Sequence, residues 1–247
     1  MRSLLPIAIL SLVVGLALGA GVGLSVGPDT APLSLDAPGT GPAATAPATS
    51  SSDYTALYEE TIDSVVKLRV TTATVSSQGS GFIYDESHVV TNEHVVQDAD
   101  TVLVQFSNGE WREGRVIGTD VYTDLAVVRV AAMPASAERL PVARDTPKPG
   151  ERVAALGSPF GLEGTITQGI VSGVNRSMRV EGRFSIPDTV KTDAPINPGN
   201  SGGPLVSMDG TVVGVNRAKE GDNIGFAISA AVVNRVVPAL IEDGSFD

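Results

Sequence analysis

Gly199-Asn200-Ser201-Gly202-Gly203-Pro204-Leu205 sets a single hydroxyl among three glycines. Glycine costs backbone entropy and adds no side chain to a core, so packing alone does not account for the cluster. Such a frame lets the chain bend sharply, expose the hydroxyl and leave backbone N–H groups free to face a ligand. A nucleophilic serine with an oxyanion hole needs that arrangement. A Gly/Ser turn between two strands is the plain alternative.

The order of the partners separates the serine chemistries. Gly199–Gly203 also fits G-x-S-x-G, the nucleophile elbow of α/β-hydrolases, whose histidine follows the serine. The only two histidines, His88 and His94, both precede Ser201, and the chain has no cysteine to act as an alternative nucleophile. The order His, Asp, Ser remains, as in chymotrypsin-type enzymes. His94 lies in Thr91-Asn92-Glu93-His94-Val95-Val96, just past the apolar pair Val89-Val90, where a strand would run into a loop. His88 opens that strand and reads as a solvated strand-edge residue. Asp124 stands at the mouth of the apolar run Leu125–Val130. A carboxylate there is costly unless paired, and His94 is the natural partner. Asp120 reads as a turn-capping residue, a role that is also the bland alternative for Asp124.

Seven stretches now line up in order: Gly79-Ser80-Gly81-Phe82-Ile83, Thr91–Val96, Thr123–Val128, Gly157-Ser158-Pro159-Phe160-Gly161, Thr165–Ser172, Thr192–Leu205 and Asn223–Ile228. On them the chain resembles the HtrA (Deg) family of trypsin-like serine proteases over about residues 53–243. The resemblance implies an all-β, chymotrypsin/trypsin-like double β-barrel with short flanking helices, split near residues 131–148. His94 and Asp124 would come from the first barrel and Ser201 from the second, with the backbone N–H groups of Gly199 and Ser201 as the oxyanion hole. A pocket for the substrate side chain would be lined by Pro195, Ile196, Asn197, Ile224, Gly225, Phe226 and Ile228. Pro195 stands six residues before Ser201, where basic-specific relatives keep an acid, so small or medium aliphatic side chains are expected there. Asp193 is expected to order its loop through backbone hydrogen bonds. Asn200 replaces the Asp that, in secreted relatives, pairs with a freshly cut N-terminus, which argues against activation by such cutting.

The pattern of the whole chain agrees. Short apolar runs recur at 65–70, 81–84, 102–106, 125–130, 153–156, 166–171, 212–215 and 224–228, punctuated by Gly, Asn, Asp and Pro. A chain of 247 residues is long enough for one large β domain with a sizeable core. Helical spacing predicts helices over Asp53–Val65, capped by Ser52 or Asp53, and over Ala230–Glu242, with Pro238 as a kink.

The N-terminal segment reads differently. Residues 4–26 carry no charge and predict a signal peptide or a membrane anchor within residues 1–26. Residues 27–52, rich in Pro, Ala, Thr, Ser and Gly, read as a linker. Together they imply an extracytoplasmic protein, secreted or membrane-held, with residues 53–247 as its protease domain. Family members commonly carry PDZ domains after the protease; this chain is expected to be the protease domain without one.

A net charge of −11, from 28 acidic against 17 basic residues, argues against nucleic acid as a partner. No metal or organic cofactor is expected, because no His/Asp/Glu cluster remains once the triad is assigned. The resemblance implies unfolded or damaged polypeptides as substrates, and a homotrimer to which Tyr54 and Tyr58 could contribute. A chaperone-like module that binds unfolded chains with little proteolysis is the competing function.

Overall fold

Leu125–Val130 offers no polar face until Arg129, so a strand here needs cover on both sides. The computed structural model, which describes residues 51–71, 76–158, 164–179, 184–219 and 224–246, supplies it with two closed six-stranded antiparallel barrels. The first contains β1 (Val65–Thr71), β2 (Ser76–Ile83), β3 (His88–Thr91), β4 (Thr101–Gln105), β5 (Trp111–Asp120) and β6 (Leu125–Val130), in the order 1-2-3-6-5-4. The second contains β7 (Arg152–Gly157), β8 (Thr165–Arg179), β9 (Ser185–Thr192), β10 (Pro204–Ser207), β11 (Val212–Lys219) and β12 (Gly225–Ser229), in the order 10-11-12-9-8-7. Closure leaves neither sheet an edge. Residues 131–151 connect β6 to β7, and both barrels lie in one compact unit, Pro47–Asp247.

Among the described residues, three apolar clusters follow from the two-residue period of the strands. Val66, Leu68, Val70, Val89, Ala126 and Val128 fill the first barrel, and Val153, Ala155, Val171, Leu205 and Ala227 the second. Their neighbours in sequence point the other way. Val65, Phe82, Val90, Leu125 and Val127 of the first barrel meet Ala154, Leu156, Val206, Val215 and Ile228 of the second in the largest cluster. The strands between the barrels are therefore apolar on both faces.

Two helices cover this junction. α1 (Ser51–Thr61) packs Leu57 into the large cluster, with Tyr54 and Tyr58 beside it. α3 (Ala230–Glu242) buries Val232, Val233, Val236, Val237 and Leu240, and contacts β5 and β6 of one barrel and β11 and β12 of the other. A four-residue helix α2 (Glu93–Val96) follows β3.

Local differences from the sequence reading have clear causes. The first helix is already formed at Ser51, so Ser52 and Asp53 lie inside it rather than capping it. It ends at Thr61, a 3-10 turn follows over Ile62–Ser64, and Val65 opens β1, where strand pairing with Phe82 overrides the helical spacing. α3 spans the predicted residues, capped by the Ser229 hydroxyl, which accepts from the Val232 N–H. Pro238 sits on its exposed side and the helix continues past it to Glu242. Tyr54 and Tyr58 are engaged within their own chain: Arg152 lies over the Tyr54 ring, and the Tyr58 hydroxyl donates to the Gly164 carbonyl. No described helix is long and apolar enough to cross a membrane, and the segment expected to do so, residues 4–26, lies outside the described residues, as does most of the 27–52 linker.

Leu240 is fully buried and lies directly over Gly118, where an added Cβ would approach the Leu240 carbonyl oxygen to 2.4 Å. Leu240→Ala is expected to leave a cavity between helix and barrel and to lower the unfolding free energy by about 2–5 kcal/mol. The midpoint of urea unfolding measures the loss.

Candidate active site

At the end of β3 the chain leaves the barrel and α2 begins, carrying His94 to the turn between β5 and β6 where Asp124 lies. Asp124 occupies the turn between β5 and β6 and has a left-handed backbone, φ 57°. That conformation costs a non-glycine residue about 1 kcal/mol, although Asp tolerates it better than most. A dense set of hydrogen bonds holds it. The Asp124 carbonyl accepts from Asn92 Nδ2 at 3.0 Å and from the Glu93 N–H at 3.1 Å. Its carboxylate accepts from the His94 N–H at 3.0 Å and meets His94 Nδ1 at 2.9 and 2.8 Å. The Asp124 side chain is 5% exposed and that of His94 37%, so the pair runs from the interior to the surface.

Burial opposes ionisation of Asp124. The hydrogen bond and charge of His94, the His94 N–H and the positive charge of Arg217 outweigh it and hold the carboxyl below the usual carboxylate range.

Ser201 lies between β9 and β10, on a loop locked to the first barrel. The Ser80 N–H on β2 donates to the Ser201 carbonyl at 2.8 Å, and the Ser80 hydroxyl donates to the Gly199 carbonyl at 2.6 Å while accepting from the Ser158 N–H at 2.8 Å. Gly202 (φ 85°) packs so tightly that a Cβ there would stand 2.2 Å from the Ser80 carbonyl oxygen and the Thr91 hydroxyl. Residues 197–200 form a turn closed by the Asn200 N–H on the Asn197 carbonyl, with Pro198 second and Gly199 third at φ 99°. A positive φ at the third position defines a type II turn and explains the Pro-Gly pair. The N–H groups of Asn200, Gly202 and Gly203 all donate to backbone carbonyls. Among the described residues, those of Gly199 and Ser201 donate to none. The Ser201 hydroxyl itself donates to the Arg217 carbonyl at 2.8 Å, not to His94.

The other expected site residues divide. Asn200 is buried and its amide oxygen accepts from Thr165. Asp193 accepts from the Ile170 N–H at 2.7 Å, and the Pro195 carbonyl accepts from the Thr167 hydroxyl. Pro195 and Asn197 are exposed. Ile196 is buried and lies over Gly225, whose added Cβ would be 2.9 Å from Ile196 Cδ1. Ile224, Phe226 and Ile228 do not join it. They belong to the cluster between the barrels, with Ile228 fully buried. Alternation along β12 is the reason: residues 224, 226 and 228 share one face and 225 and 227 the other. Asn223, at the mouth of this segment, lies outside the described residues.

His88 also departs from expectation. It is not solvated: its side chain is 13% exposed, and Nδ1 meets the Asp85 carboxylate at 2.9 and 2.8 Å. Asp120 accepts from the Tyr122 and Thr123 N–H groups and the Thr123 hydroxyl, as a turn cap does. Two participants went unread in the sequence. One is Ser80, signalled only by its own glycine flanks, Gly79 and Gly81. The other is Arg217, near the end of β11, whose Nε donates to Asp124 Oδ2 at 2.8 Å.

Two antiparallel barrels with a His–Asp pair and a glycine-framed serine at their junction make up the architecture of the chymotrypsin-like serine peptidases. Residues 79–215 match the family model of the trypsin-like peptidase domain. A protein of Synechocystis sp. named as the serine protease HhoB is 43% identical over 180 residues, which are 68% of this chain and 41% of that one. A Chlamydia trachomatis protein named as a DegP-like periplasmic serine endoprotease is 41% identical over 177 residues, 68% of this chain and 34% of that one. The crystal structure of the serine endoprotease from Yersinia pestis superposes with a TM-score of 0.67 at 34% identity, covering 77% of this chain and 67% of that one. The chain belongs to the trypsin-like peptidase family, within its HtrA (Deg) group. It spans about four-tenths or less of the length of these curated relatives.

Because the Asp124 pKa is lowered on folding, its ionisation stabilises the folded state at neutral pH. That contribution is expected to vanish as pH falls from the ordinary carboxylate range through the lower folded-state value. Asp124→Asn should flatten this acid limb when unfolding free energy is measured against pH; an unchanged limb would contradict the assignment.

Proposed function

We propose that this chain is a serine endopeptidase of HtrA type that cleaves unfolded or damaged polypeptides outside the cytoplasm, with His94, Asp124 and Ser201 as its triad. The observation that carries the reading is the conjunction at the barrel junction. His94 Nδ1 is held by a buried carboxylate, and the N–H groups of Gly199 and Ser201 on the serine loop donate to no backbone carbonyl among the described residues. In this mechanism Ser201 Oγ turns from the Arg217 carbonyl to His94 and attacks the peptide carbonyl. His94 takes the proton and returns it to the leaving amine, and water then releases the acyl group by the same path. Asp124 fixes the tautomer and favours the charged imidazole. The Gly199 and Ser201 N–H groups receive the oxyanion, each such donor contributing about 3 kcal/mol to the transition state. The extracytoplasmic setting is supported by the uncharged residues 4–26 and by the periplasmic relative.

Casein cleavage tests the reading. Ser201→Ala and His94→Ala are each expected to lower kcat by about 10⁶-fold while leaving the fold intact, and His88→Ala to stay active. Tight casein binding by wild type with no cleavage would instead favour the chaperone-like module.

The substrate side chain preceding the cut is expected to be Val, Ala or Ile. Ile196 over Gly225 limits depth, and Asp193 is engaged by the Ile170 N–H. Lys or Arg would bury an unpaired charge at a cost of several kcal/mol. Mass spectrometry of casein fragments checks this; a majority of cuts after Lys or Arg would overturn it.

A further inference from the structure

β11 and β12 pair regularly at Asn216 with Ala227 and at Ala218 with Phe226, so the ladder bulges at Arg217. A bulge leaves one residue without a cross-strand partner and re-aims its side chain. Here it re-aims both polar groups of Arg217 into the candidate site. The side chain reaches across to the first barrel, where Nε donates to Asp124 Oδ2 at 2.8 Å with only 19% of the side chain exposed. The main-chain carbonyl accepts from the Ser201 hydroxyl at 2.8 Å. One residue thus touches both the carboxylate and the hydroxyl of the triad, from a strand that carries neither.

We propose that Arg217 is a positioning residue that fixes the Asp124 carboxylate against the second barrel, opposes the positive charge that His94 gains during catalysis, and parks the Ser201 hydroxyl until substrate displaces it. This rests on the reading of His94, Asp124 and Ser201 as the reacting groups. The electrostatic part follows from the shared atom. Both His94 Nδ1 and Arg217 Nε bond Asp124 Oδ2 at 2.8 Å, so the two cationic groups lie within twice that distance of each other. The carboxylate that would offset an imidazolium is already partly offset by the guanidinium.

Among the described residues, the ion pairs of Asp124 are those with His94 and Arg217. Asp120, at the end of β5, is bonded to Tyr122 and Thr123. Arg115 and Arg129 pair in the β5–β6 ladder. Lys67 and Arg69 of β1 lie opposite Gln105 and Leu103. None of these forms an ion pair with His94 or Asp124. Glu93, on α2 itself, gives its N–H to the Asp124 carbonyl.

The test is the rate at which a fluorophosphonate probe labels the whole chain, measured between about pH 5 and 9, where an imidazole titrates. Arg217→Gln is expected to slow labelling about 10-fold at mid-range and to move the acid limb up by about half to one pH unit. The loss is then largest at low pH. Arg217→Lys keeps the charge without the planar fork, so it should hold the limb near wild type while recovering only part of the rate. Circular dichroism of each variant verifies folding. A limb that stays in place in a folded Arg217→Gln, or one that moves equally in the Lys variant, overturns the proposal while leaving the triad reading intact. Failure of wild type to label at any pH overturns both.

Discussion

Burial of apolar side chains on both faces of the junction strands is the constraint on which the rest of this molecule depends. A barrel strand that alternates apolar and polar residues needs only its own interior. β6, with Leu125 and Val127 facing one way and Ala126 and Val128 the other, needs a second barrel. The same demand brings α1 and α3 over the seam. It also defines where polar chemistry can sit: at the rim of an apolar contact, where a carboxylate can be nearly buried while its histidine partner still meets solvent.

At that rim, charge and strain are distributed rather than concentrated. Asp124 is held in a left-handed conformation by bonds from Asn92, Glu93 and His94, all on the neighbouring segment. The serine loop is bent by Pro198 and Gly199, and kept bent by Ser80. Each departure from relaxed backbone is matched by a nearby group that makes it the best local choice, as expected where a site is built in advance of its ligand.

Much of this was legible because the signals were local. A polar break after Val89-Val90, an acid before an apolar strand and a serine framed by glycines can be read from a few adjacent residues. What could not be read is relational. The role of Arg217 depends on a bulge in pairing with β12, which a single strand does not encode. Likewise, Phe226 and Ile228 look equally suited to a pocket or a core, because an all-apolar strand does not say which face meets which neighbour. Val65 fits helical spacing as well as it fits a strand, and only its pairing with Phe82 decides. His88 lacks any sequence sign that Asp85 would fold back on it.

Ser80 lends the architecture a mechanical property. Ser201 belongs by sequence to the second barrel, yet its carbonyl, and that of Gly199, are fastened to β2 of the first. The loop that carries the hydroxyl is therefore referenced to the same body that carries His94 and Asp124. The Gly202 N–H on the Asn216 carbonyl of β11 anchors the same loop to the second barrel, so the hydroxyl is pinned from both sides of the seam it spans.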